Sequence, residues 1–141
     1  LKTHSNFAWE APLRPSKHFV IMRLPLPNNY KLQRQFKQFV EHTLDELIPL
    51  AGITSIDAII PSHYHDDHLA GVPFLQERHG TQAWIHRSFA QIVARPDDWK
   101  LPCLWATPIR ADRVLDDGER VTFGDWSFDV FHMPGHTWYA L

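Results

Sequence analysis

The sequence predicts an α/β fold, a parallel or mixed sheet with flanking helices. Three observations carry this. A β-branched run over residues 53–60, ending Asp57-Ala58-Ile59-Ile60-Pro61, reads as a buried strand. Segments with helical apolar spacing lie on both sides of it. Three short strand-like runs, at 113–115, 120–123 and 126–131, follow later.

Taken in order, residues 1–16 show no apolar period and read as an irregular arm before a domain over 17–141. Residues 18–22 read as a short buried strand, broken by Pro25, Pro27, Asn28 and Asn29. Leu32, Phe36, Phe39, Val40, Leu44, Leu47 and Ile48 recur at helical spacing, which predicts an amphipathic helix over residues 30–48. Pro49 and Gly52 close it. After the 53–60 strand, residues 69–78 are predicted helical, stopping near Gly80. Gln82 to His86 is a second strand. Ser88 is placed to cap a helix that runs through Ala94 and ends at Pro96. Residues 96–108 form a loop rich in Pro and Trp. Asp116-Asp117-Gly118 and Gly124-Asp125 are turns between the late strands. Trp84, Trp99, Trp105 and Trp126 read as core or loop anchors.

The chain has 141 residues, 44% hydrophobic and 21% charged, which suits one globular domain. A net charge of -2 gives no pull toward nucleic acid or an anionic membrane. No apolar run approaches the roughly 20 residues of a membrane span, so a soluble protein is expected; its cellular location stays open. Cys103 is the single cysteine, which rules out an internal disulfide, and it reads as a buried, inert thiol.

The run Ser62-His63-Tyr64-His65-Asp66-Asp67-His68 carries the chemistry. His63, His65, Asp67 and His68 form the pattern H-x-H-x-D-H at the carboxyl end of a predicted strand, where layered α/β proteins place ligands. Neutral imidazole and carboxylate are the donors a borderline cation such as zinc prefers. His136, in Pro134-Gly135-His136-Thr137, is a second signal, because Pro and Gly shape a turn that presents one histidine at a strand end. Together His63, His65 and His136 supply three nitrogens and leave a fourth position open, as catalytic zinc sites do. Asp66 reads as exposed or as a cap of the next helix. Tyr64 reads as pocket lining or as cover for the loop. Trp138 and Tyr139 read as packing residues. His4, His18, His42, His79, His86 and His132 read as surface or satisfied histidines.

The strand, the H-x-H-x-D-H run, the Leu69-Ala70-Gly71 helix start and the later P-G-H-T turn resemble the metallo-β-lactamase superfamily over about residues 53–137. The resemblance implies an αββα sandwich of two similar halves. It implies that His63, His65 and His136 bind a first metal and that Asp67 and His68 belong to a second. It implies a zinc-dependent hydrolase binding one or two ions. A metal-bound hydroxide would attack an ester, thioester, lactone, lactam or related bond of a small-molecule substrate. Asp67 would act catalytically, orienting the nucleophile and taking up a proton. Histidine at position 65 suits zinc rather than two irons.

Two features depart from the family pattern. The family carries a bridging Asp and a late His beyond the P-G-H-T turn, so the second site is incomplete within these residues. An early Asp-x-Gly turn is replaced by Met22-Arg23-Leu24-Pro25-Leu26-Pro27. Residues 1–141 are therefore expected to be the first half of a longer protein, or to pair with another chain. The competing expectation is a non-catalytic metal-binding or interaction module of a larger assembly.

Overall fold

The computed structural model describes residues 30–141, without the side chains of 30–33 and 36. The arm expected at 1–16, the strand at 18–22 and the segment 22–27 lie outside the described residues. So do the side chains of Leu32 and Phe36.

The first helix, α1 (Tyr30–Leu50), buries Val40, Leu44 and Ile48. Their spacing of four places them on one stripe of the helix. Phe39 and Leu47, expected on the apolar face, lie beside that stripe and are 57% and 50% exposed. Pro49 sits inside the last turn rather than after it. Gly52 performs the closure. At φ 68 its N–H donates to Pro49 O at 2.9 Å, and Ile53 N–H donates to Ile48 O at 3.0 Å. Two crossed bonds of this kind satisfy carbonyls that the helix end would otherwise leave open.

Three parallel strands follow, in the order β1 (Ala58–Ile59), β2 (Gln82–His86), β3 (Arg113–Leu115). β1 is shorter than the run 53–60. Its lead-in is held by two bonds, Thr81 Oγ1 to Ile56 O and Gln82 N–H to Asp57 O, rather than by a continuous ladder. β2 is central and buried on both faces, which explains its apolar sequence. Ala83 and Ile85 face the helices, while Trp84 faces Leu115, Val121 and Val130. Burying a side chain such as Ile85 or Phe89 stabilises the fold by about 1.5–3 kcal/mol.

The helix expected at 69–78 starts three residues later, as α3 (Val72–His79), and a separate short helix, α2 (Asp66–Leu69), precedes it. Pro73 explains the division, since its ring is tolerated in a first turn and not in a helix interior. α4 (Arg87–Ala94) begins where β2 ends. Its cap is His86 rather than Ser88: the His86 ring accepts from Ser88 N–H. Pro96–Asp98 forms one 3-10 turn. β4 (Arg120–Phe123) and β5 (Trp126–Asp129) form an antiparallel hairpin covering the sheet face opposite the helices. Gly124 takes φ 58 in its two-residue turn, as the primed hairpin turns require. The turn at Asp116–Gly118 therefore links two different sheets. The layers are helices, parallel sheet and hairpin, the mixed α/β class expected.

Candidate metal centre

The site lies just past the carboxyl end of β1. Residues 60–65 leave the strand, and α2 starts at Asp66, so the histidines sit on a short curled segment between two fixed elements. That segment is pinned from the side. Asp66 N–H donates to Cys103 O at 2.8 Å, and His65 forms an isolated antiparallel bridge with Leu104. Cys103 is half-buried and adopts φ 55, unusual for a residue with a Cβ. The expectation of a wholly buried thiol is thus corrected; the backbone of Cys103 serves the loop. Asp66 is also corrected. It is buried, not exposed, and it is the first residue of α2 rather than its cap, which is His65.

The loop after β5 brings His136 across. Met133 N–H donates to Ala140 O, Gly135 N–H to Thr137 O, and Leu141 N–H to Ser62 O, each at 2.9 Å. The last bond fastens this loop to the residue before His63. Thr137 is buried, and its Oγ1 accepts from Tyr139 N–H, so it holds backbone rather than an imidazole.

One ligand atom from each of His63, His65 and His136 lies within 4.8 Å of the others. His136 Nε2 is 3.2 Å from His65 Nδ1. His63 is buried, and its Nε2 has no hydrogen-bond partner among the described residues. A second group, His63, Asp67 and His68, meets the same distance condition, so His63 belongs to both. Asp67 Oδ2 faces His68 Nε2 at 3.6 Å. Burial, then the neighbouring His136, lowers the His65 pKa, which keeps that ring neutral and able to ligate at pH 7. Three imidazoles converging from two segments form a donor set that fits zinc.

Ser62 is the residue sequence reasoning missed. Its hydroxyl lies 2.9 Å from His63 Nδ1 and 3.1 Å from His68 Nδ1. The available signal was a hydroxyl directly preceding the cluster. Tyr64 packs into the core beneath the loop, edge-on to His65, and burial raises its pKa. It covers the loop rather than lining a pocket. Of the expected packing pair, Tyr139 packs and Trp138 is 73% exposed. Trp84 and Trp105 are core residues, whereas Trp126 is exposed and Trp99 partly so. His86 is buried and stacks on His132 at 5.6 Å, a pair that no spacing in the chain foretells. Burial, then His132, lowers the His86 pKa.

The family described as the metallo-beta-lactamase superfamily matches residues 42–137. A hydroxyacylglutathione hydrolase of Pseudomonas paraeruginosa is 35% identical over 79 residues, 56% of this chain and 24% of that protein. A probable metallo-hydrolase of Burkholderia pseudomallei is 35% identical over 85 residues, 56% of this chain and 28% of its own length. Among solved structures, the metallo-β-lactamase MIM-1 from Novosphingobium pentaromativorans aligns with TM-score 0.61 and 26% identity. That alignment covers 74% of this chain and 40% of MIM-1. The chain spans about a quarter of the length of the curated relatives it matches.

Proposed function

This chain belongs to the metallo-beta-lactamase superfamily, and from that premise we propose that it carries the metal-holding part of a zinc-dependent hydrolase. One observation carries the reading: His136 meets His63 and His65 across more than seventy residues of sequence, with ligand atoms within 4.8 Å. Chance rarely assembles three imidazoles where burial lowers a pKa and a carboxylate stands alongside.

His63, His65 and His136 would hold the first ion, and Asp67 and His68, with His63 near, would contribute to a second. Bound zinc supplies a Lewis acid and lowers the pKa of water to about 7. The protein's own residues do the rest. Ser62 and Asp67 hold the rings in place, and Asp67 orients the attacking water and accepts its proton. Relatives named hydroxyacylglutathione hydrolase support a thioester as the first substrate class to test, and neighbours named β-lactamase support a lactam. Because the chain spans so little of those relatives, a further segment or another chain is the proposed source of the remaining second-site ligands.

The test is hydrolysis of a thioester, lactone, ester and lactam panel by the zinc-loaded protein, its chelator-treated form and a His63→Ala variant. The expected outcome is turnover of at least one class, reduced to background by either treatment. Turnover untouched by both, or no turnover of any class, contradicts the reading.

A further inference from the structure

Ser62 touches two imidazoles with a single hydroxyl, and proton counting gives that contact a consequence. A serine hydroxyl holds one proton and two lone pairs. A neutral imidazole carries a proton on one nitrogen only. Ser62 Oγ lies within hydrogen-bond distance of Nδ1 of both His63 and His68. If Ser62 donates to one of these nitrogens, it accepts from the other. The two rings are then in opposite tautomers.

Asp67 decides which ring takes which form. Its Oδ2 faces His68 Nε2 at 3.6 Å, and an ionised carboxylate only accepts. At that distance the carboxylate acts through its charge rather than a hydrogen bond, and it favours the His68 proton on Nε2, toward Asp67. His68 Nδ1 is left to accept the Ser62 hydroxyl. Ser62 Oγ in turn accepts Nδ1–H from His63, which leaves the His63 lone pair on Nε2. The serine is itself fixed, because its carbonyl accepts Leu141 N–H from the loop that carries His136.

We propose that Ser62 is a positioning residue that sets His63 and His68 in opposite tautomers and so makes the His63/His65/His136 group fill before His68 can ligate. The inference rests on the metal-centre reading above. Before an ion arrives, His63 presents a lone pair at Nε2 while His68 presents an N–H there. For His68 Nε2 to ligate, its proton must move to Nδ1 with no net loss, and the Ser62 hydroxyl must turn away to accept from both rings. The first ion needs no such rearrangement. The second does.

Two arms test this on the intact protein. Histidine nitrogen NMR of the metal-free wild type at about pH 8, above the ordinary imidazole value, reads the tautomers directly. His63 is expected as Nδ1–H and His68 as Nε2–H. Zinc titration against a chromophoric chelator then compares wild type, Ser62→Ala and Ser62→Thr. Wild type is expected to bind in two unequal steps, Ser62→Ala to weaken the first by about tenfold or more, and Ser62→Thr, which keeps the hydroxyl, to retain most of the affinity. The wild-type NMR arm stands even if Ser62→Ala does not fold. Zinc binding with both rings in one tautomer overturns the proposal and leaves the metal centre standing. Unchanged affinity in Ser62→Ala, or a Ser62→Thr loss as large as that of Ser62→Ala, also overturns it. Opposite tautomers in a protein that binds no zinc overturn the metal centre, and the filling order with it.

Discussion

Single side chains fix both the chemistry and the joints of this molecule. His63, His65, Asp67, His68 and His136 were legible because costly polar groups crowd a strand end, and because each is a donor that zinc accepts. Ser62 and the His86–His132 stack were not, since a hydroxyl or a lone histidine has no spacing rule to mark it. Asp112 shows the same limit. Burial alone would raise its pKa, but bonds from Ala83 N–H, Gln76 Nε2 and Arg110 Nε outweigh that and hold it below the usual carboxylate value. It thereby joins β2 to α3 and to the lead-in of β3. A depressed carboxylate pKa stabilises the fold above the unfolded value and loses that contribution as pH falls through the folded one. Asp112→Asn is therefore expected to cost about 0.5–1 kcal/mol at pH 7, since solvent screens the carboxylate of this exposed residue, with the gap to wild type closing below about pH 4. Urea melts at several pH values check this. A gap independent of pH would show that the charge is irrelevant.

Elements were easier to place than their ends and partners. β2 has the bounds its sequence predicts, because the four buried residues Ala83 to His86 follow an exposed Gln82 and include a compact apolar run. β1 was overcalled, because a β-branched run shows strand propensity but not how much of it finds a hydrogen-bonding neighbour. Apolar spacing over 69–78 runs through Ala70-Gly71, the gap between α2 and α3, and so does not show where α3 starts. Gly80 was correctly read as a stop. It caps α3 at φ 66, and no heavy atom lies within 4 Å of where a Cβ would sit. The cost of Gly80→Ala is therefore purely conformational, about 1–2 kcal/mol. Gly80→Asn is expected to recover part of it, since Asn tolerates the left-handed region. Thermal melts of the two variants decide; equal losses would point to something other than backbone conformation.

Across the whole molecule, a three-stranded parallel sheet carries helices on one face and a hairpin on the other, and the histidines gather just past the carboxyl end of β1. The class was legible from alternating helical and strand-like patterns. The pairing was not: β3 and β4 are close in sequence yet lie in different sheets, and nothing in two short apolar runs says which neighbour each will take. The meeting of residues 63–65 with residue 136 is the product of this architecture, through the bond from Leu141 N–H to Ser62 O and the loop it closes. We propose that this meeting point holds a catalytic zinc. Diffraction from zinc-soaked crystals, with anomalous data collected at the zinc edge, tests it most directly. An ion is expected about 2.0–2.1 Å from one nitrogen of each of His63, His65 and His136, with its fourth position taken by solvent. An ion bound elsewhere, or a fourth protein ligand closing the site, would contradict it.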